Sequence, residues 1–309
     1  MNPSLDTPFA RRRALGLLAG LAAVGLAGCQ TPPQPSAPVA SQPPPPPPAP
    51  PRPPRLGLAL GGGAARGFAH IGVIQVLEEA GIRPDLVVGT SAGSLVAALY
   101  AAGRTGAELA ALAQSMDEGA ITDWSFPGRG LIRGEALARY VREQTAQRPI
   151  EQMRLPLGVV ATDLDSGAPV LFRRGDTGAA VRASSAVPAV FQPVKIGERE
   201  YVDGGLVSPV PVRFAREMGA ELVLAVDISS PPDGAATGDP FRMLLQTFAI
   251  MGKSINHFEL AGADVVLRPR LAGIGSANFT ARSRAIDAGR QAMQAALPEL
   301  RAKIVAQTR

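Results

Sequence analysis

The sequence predicts an α/β fold built on a mainly parallel sheet. Short apolar, strand-like runs alternate with helical stretches, and glycines mark several of the places where one gives way to the other. With 46% hydrophobic residues among 309, the chain can also bury a substantial core. Residues 55–60 form an apolar run into a glycine cluster and read as a buried strand. Residues 66–80 follow as a helix, with Ile71, Ile74, Val76 and Leu77 largely on one face and Gly81 ending it. Leu86-Val87-Val88, within 84–89, supplies a second strand, and residues 92–102 a helix stopped by Gly103. Further strand-like runs stand at 157–162, Pro169–Phe172, 222–228 and Val265–Leu267. Residues 282–303 have the composition of a closing helix, and no internal repeat is present.

Composition narrows the function. Lys+Arg number 31 against 26 Asp+Glu, a net charge of +5. Residues 1–28 hold three of the arginines and one aspartate, so the remainder carries +3 with no basic block, and no nucleic-acid partner is expected. One cysteine excludes an internal disulfide framework, and one cysteine with two histidines excludes a Cys/His zinc site. Aromatic residues make up only 5%, too few for a stacking platform.

Residues 1–28 read as an export signal. Arg11-Arg12-Arg13 precede an apolar run of 14 residues, Ala14 to Ala27, too short to span a bilayer. Leu26-Ala27-Gly28-Cys29 resembles the bacterial lipobox, whose cysteine is acylated and becomes the mature N-terminus; an ordinary signal peptide with an incidental cysteine is the alternative. Fourteen of the 30 prolines fall between Pro32 and Pro54, so residues 29–55 read as an acylated Cys29 followed by an extended polyproline tether. At ~3.1 Å per residue it reaches roughly 80 Å. The arginines leave Sec and twin-arginine export both open. By resemblance to enterobacterial sorting, Gln30 after the cysteine points to the outer membrane, facing the periplasm. The folded domain is then 56–309.

Three motifs carry chemistry. Gly89-Thr90-Ser91-Ala92-Gly93 is a G-x-S-x-G between a strand and a helix. A serine there stands on a strained turn with its hydroxyl projecting from the strand end. The Ala92 amide and the positive end of the helix face any negative charge that forms nearby. A tight turn whose serine merely caps the helix is the plainer reading. Gly61-Gly62-Gly63-Ala64-Ala65-Arg66-Gly67 lets several N–H groups point one way, an anion-holding nest. A dinucleotide fingerprint fails in both registers. Arg66 replaces the third glycine counting from Gly61, and Ala64 replaces the second counting from Gly62; no G-K-[ST] is present either. An oxyanion hole fits better, each donor contributing about 2.7–4 kcal/mol to the transition state. The alternative is a loop packed closely under a helix.

Tyr201-Val202-Asp203-Gly204-Gly205 is the third motif, in isolation an Asp-Gly turn. Its weight comes from what the serine lacks. Only His70 and His257 exist, and both read as structural, His70 on a face with Ile74 and Leu77, His257 near Phe248, Ile255 and Phe258. A Ser–Asp dyad is the simplest base assignment, with the carboxylate accepting the proton as attack develops. A Ser–His–Asp esterase using His257 and a tethered scaffold without chemistry are the competing readings.

Taken in order, with Arg182-Ala-Ser-Ser-Ala-Val-Pro188, these motifs make the chain resemble the patatin-like phospholipases, specifically bacterial members related to neuropathy target esterase, from about 56 to 270. The resemblance implies a three-layer sandwich. It implies a dyad of Ser91 (nucleophile) and Asp203 (proton acceptor), and an oxyanion loop on Gly62 and Gly63, joined by the Ala92 amide. Arg66 would shape the following helix, with Gly61, Gly67, Gly89, Gly93, Gly204 and Gly205 shaping the loops. It further implies hydrolysis of lipid acyl esters without metal or cofactor, so membrane lipids are expected as both substrate and anchor. Ala64 departs from the pattern, since many members carry a further glycine there. Asp163 and Asp165 read as a turn rather than a cation site. Residues 117–133, with Trp124, Phe126, Leu131 and Ile132 beside Arg129 and Arg133, read equally as an interfacial lid or a packed connection.

Overall fold

The computed structural model describes residues 51–117, 119, 123, 129–229, 238–275 and 278–309, apart from the Phe241 side chain. The expected signal, Cys29 and most of the tether lie outside the described residues, as do Trp124 and Phe126. The described residues fall within one compact unit, Ala49–Arg309.

The first half of this unit runs β1 (Leu56–Leu60), α1 (Phe68–Glu79), β2 (Leu86–Thr90), α2 (Ala92–Ala101) and α3 (Gly106–Ser115). Then come β3 (Gly130–Ile132), α4 (Glu135–Gln144), β4 (Leu157–Asp163), β5 (Pro169–Phe172) and α5 (Thr177–Ser184). The second half holds β6 (Ala189–Phe191), β7 (Val194–Ile196), β8 (Arg199–Asp203), α6 (Val212–Glu217) and β9 (Leu222–Val226). It ends with α7 (Pro240–Glu259), β10 (Val265–Leu267) and α8 (Arg282–Ala306). The main sheet has the order β10-β9-β1-β2-β4-β8-β7, with β5 also on β4; β3 and β6 form a separate pair. From β10 to β4 all neighbours are parallel, whereas β5, β8 and β7 pair antiparallel.

β1, β2 and β9 are buried along their whole length, as parallel strands covered on both faces must be. Leu58, Leu60, Val87 and Leu224 pack with residues of α1, α2 and α8, while the alternate residues Ala59, Leu86, Val88 and Val223 pack with Val212, Phe214 and Ala215 of α6. The expected three layers follow from this alternation. α8 closes the first layer by crossing α1 backbone to backbone. A Cβ on Gly72 would lie 2.0 Å from the Ile286 carbonyl oxygen, and one on Gly289 would lie 1.9 Å from that of Ala69.

Two expectations need adjusting. The helix read over 66–80 opens as a tight 3-10 turn, Ala64–Gly67, before α1 begins at Phe68. The Asp203 motif, read as a turn, is also the end of strand β8, whose first residues are exposed or half-buried and so lack an apolar signal.

Candidate active site

The turn after β2 is a sharp elbow. Ser91 adopts φ 52° and ψ −125° between Thr90, the last residue of β2, and Ala92, the first of α2. A non-glycine residue at positive φ costs of order 1–3 kcal/mol, so the surroundings must hold it. They do so through both backbone groups. The Ser91 N–H donates to Ser184 Oγ at 2.8 Å, and Ser184 Oγ in turn donates to the Val160 carbonyl at 2.6 Å. The Ser91 carbonyl accepts from Ser94 N–H at 2.8 Å and Ser94 Oγ at 2.6 Å. Both flanking glycines are required by close approach: a Cβ at 89 would meet the Gly93 carbonyl oxygen at 2.4 Å, and one at 93 would meet that of Leu60 at 2.1 Å.

Strand register brings Asp203 to this elbow. β4 pairs with β2 through Val160↔Thr90 and, one residue later, with β8 through Ala161↔Asp203. Because β5 occupies the opposite edge of β4 at both residues, β8 takes over the edge that β2 leaves. Ser91 and Asp203 are thus successors along one edge, although 111 residues of sequence lie between them. Asp203 is buried; its N–H donates to Ala186 O at 3.0 Å and its carbonyl accepts from Thr162 Oγ1 at 2.8 Å. Oδ1 accepts the Gly205 N–H at 2.6 Å, and a Cβ on Gly205 would stand 2.9 Å from that oxygen. Gly204 sits where a Cβ would strike the Val160 carbonyl oxygen at 2.2 Å.

Burial pushes the Asp203 carboxyl up to about 6, against the opposing pull of the Ser91 side chain and the Gly205 N–H. The Ser91 side chain therefore acts on this carboxyl at rest, yet Oδ2 has no hydrogen bond of ordinary geometry.

The glycine loop leans against the elbow. A Cβ on Gly62 would be 3.1 Å from Ser91 Cβ, and one on Gly67 would be 2.9 Å from Ala92 Cβ. One expected oxyanion donor needs correction. The Gly62 N–H is already committed, donating to the Pro209 carbonyl at 2.9 Å, because the segment after the Asp203 turn runs beside the loop. Gly61 is committed likewise, to Val226 O at 3.0 Å. Among the described residues, the Gly63 and Ala64 N–H groups donate no hydrogen bond, and the Ala92 amide starts a helix, where no intrahelical acceptor exists. Gly63 must lack a side chain, since Ile228 fills its Cβ position at 2.8 Å. Arg66 tightens the turn through N–H and Nε bonds to the Gly63 carbonyl at 3.1 and 3.3 Å. Ala64 adopts φ 49°, a left-handed conformation that favours glycine, which accounts physically for the glycine expected there.

The histidines hydrogen-bond or pack elsewhere than on Ser91 and Asp203. His70 is fully buried, and burial pushes it down to about 4, so it is neutral at neutral pH. Its Nε2–H then donates to the Gly61 carbonyl at 2.8 Å, bracing the glycine loop. His257 lies edge-to-face on Phe258 and lines a cavity with Asp227, Lys253 and Asn256 whose walls include neither Ser91 nor Asp203. Asp163 accepts from Ser166 N–H, Ser166 Oγ and Arg199 Nη1, which hold it well below the usual carboxylate range. Asp165 is exposed, and no cluster of three His, Cys, Asp or Glu residues suited to a metal is present among the described residues. Sequence reasoning missed Ser184, whose only signal was its place in the Arg182–Pro188 motif, and Pro209, whose carbonyl left no signal at all.

A family model described as patatin-like phospholipase matches residues 58–216, which include the glycine loop, the elbow and Asp203. The chain belongs to the patatin-like phospholipase family. An uncharacterised NTE family protein of Mycobacterium tuberculosis is 40% identical over 185 residues, covering 59% of this chain and 51% of that protein. Patatin-like phospholipase domain-containing protein 6 of Mus musculus is 35% identical over 232 residues, covering 72% of this chain and 16% of its own. The chain thus spans about half or less of these relatives. VipD from Legionella pneumophila shares the fold, with a TM-score of 0.59 at 15% identity over 81% of this chain and 68% of that one.

Proposed function

We propose that this protein is a serine acyl hydrolase that cleaves carboxylic ester bonds of phospholipids, lysophospholipids or related lipids. The observation that carries the reading is Ser91 at a left-handed elbow, acting on a buried carboxyl whose outer oxygen is unbonded, beside unengaged amides. Ser91 Oγ attacks the ester carbonyl carbon while its proton passes to Asp203. The carbonyl electron pair moves to oxygen, held by the amides of Gly63 and Ala92, with the Ala64 amide adjacent. Collapse of this intermediate breaks the bond to the leaving alcohol, which takes the proton from Asp203. Water, losing a proton to the same carboxylate, then attacks the acyl-enzyme; the carboxylate returns that proton to Ser91 Oγ as the fatty acid leaves. No step calls on a metal or cofactor.

The site belongs, on this reading, to an exported lipoprotein. Cys29 carries the acyl chains and the proline-rich segment tethers the domain near the outer membrane on its periplasmic side, raising its effective concentration at lipid. A serine-directed fluorophosphonate should label the wild type but not Ser91→Ala. Lipid extracts incubated with each and compared by mass identify the ester cut. Absence of labelling together with unchanged lipid masses would defeat the hydrolase reading. Radiolabelled palmitate incorporated by the wild type but not by Cys29→Ala tests the anchor.

A further inference from the structure

The geometry points to the outer face of α7 as a docking surface for an anionic lipid bilayer. The choice of a lipid occupant rests on the hydrolase reading above; the surface itself is drawn from the helix. Met243, Ile250, Met251 and Phe258 recur at the i, i+7, i+8, i+15 spacing of one helical stripe, and all four are exposed, Phe258 by 77%. Thr247 and Ser254 lie within the stripe, but each hydroxyl donates back to a helix carbonyl, to Met243 O at 2.9 Å and Ile250 O at 3.3 Å. Neither hydroxyl needs water as a partner when the stripe is covered.

The opposite face is pinned. A Cβ on Gly252 would stand in contact with Pro209 at 3.6 Å, Asn256 Oδ1 accepts the Val210 N–H at 3.1 Å, and Glu259 accepts from Ser208 Oγ at 2.9 Å. The stripe is therefore not a core face that has failed to find its partner. The segment that α7 grips also carries the Pro209 carbonyl bonded to Gly62 and the Ser208 carbonyl bonded to Thr90 Oγ1 at 2.9 Å. The helix is tied through three residues to both walls of the reactive serine.

Charge chooses the occupant. Along α7, Arg242 and Lys253 lie on one edge of the stripe. Arg242 is ion-paired with the exposed N-cap residue Asp239 at 3.4 Å, and Lys253 has no ion pair among the described residues. The acidic residue within the helix, Glu259, is buried and paired with Arg213. An apolar stripe edged by an unpaired lysine, with each carboxylate of the helix and its cap already paired to an arginine, is the pattern of a helix lying in an anionic bilayer surface.

Cys29 is the only cysteine, so the full chain carrying Cys29→Ala and Ser91→Ala takes a single fluorophore at Met251→Cys or, separately, Phe258→Cys. Without Ser91 the chain cannot hydrolyse the probe lipid, and without Cys29 it carries no acyl anchor. With vesicles of phosphatidylglycerol and phosphatidylcholine, both labels should shift to the blue. Lipids brominated in the acyl chain should quench them at least twofold, more weakly in phosphatidylcholine alone. A label at Glu299→Cys on α8 should not respond. The proposal is overturned if the α7 labels ignore vesicles. It is overturned equally if they are already blue-shifted without vesicles, whether by another part of the chain or, where dilution reverses the shift, by a second copy. Insertion by these variants, together with failure of fluorophosphonate to label the wild-type chain at Ser91, would defeat the hydrolase reading and leave this surface standing.

Discussion

Replacing Asp203 with asparagine should abolish turnover while making the protein more stable at neutral pH. The carboxyl is only 5% exposed, and burial lifts it from the ordinary 3.8 to about 6. As pH rises, the unfolded chain ionises this group first, so the folded state is penalised once the unfolded carboxyl has lost its proton. Below 3.8 both states are protonated and no penalty exists; it grows between 3.8 and about 6 and is complete above that. At about 1.4 kcal/mol per pKa unit, the penalty amounts to about 3 kcal/mol. Asparagine removes the charge and keeps an Oδ1 for the Gly205 N–H, while its amide group replaces an oxygen with no hydrogen bond to lose. Urea unfolding should therefore favour Asp203→Asn by about 2–3 kcal/mol near pH 8, with the difference vanishing near pH 3.5. A variant that keeps turnover, or whose stability relative to the wild type ignores pH, refutes the reasoning.

Ester hydrolysis should rise with pH through about 6, as Asp203 becomes ionised and able to accept a proton. In Ser91→Ala one of the two groups that favour ionisation is gone, so infrared titration should find this carboxyl higher than in the wild type. Ser184→Ala leaves the Ser91 N–H and the Val160 carbonyl without their shared partner. We expect about 1–3 kcal/mol of lost stability by urea titration, and kcat at least tenfold lower with KM little changed. Ala64→Gly relieves a left-handed alanine and should raise stability by up to about 1 kcal/mol, with the urea midpoint moving upward. Gly205→Ala places a methyl 2.9 Å from Oδ1, so the carboxylate must turn away and fluorophosphonate labelling of Ser91 should slow sharply.

Local chemistry wrote much of this protein into its sequence. Fully buried parallel strands read as unbroken apolar runs, so β1, β2 and β9 were legible, and Pro169–Phe172 and Val265–Leu267 stand where expected. The elbow was legible because only glycine can stand at 89 and 93, where carbonyl oxygens come within 2.4 and 2.1 Å of the missing Cβ. β8 was not, for its outer residues are charged or half-exposed, and β3, β6 and β7 are three residues each, too short for alternation to register.

What only the tertiary structure decided is which of the named groups lie together and which amides stay free of a partner. Sequence selected Ser91 and Asp203 by residue type and neighbours, but their meeting depends on β4 passing one edge from β2 to β8, a choice of partner encoded by no single segment. Sequence likewise offered Gly62, Gly63 and Ala92 together as donors. The fold withdrew Gly62 by laying Pro209 against it and left Gly63 and Ala92 open. A hydrogen bond between backbones has no side-chain signature, so it is decided only when distant stretches of chain come to lie side by side.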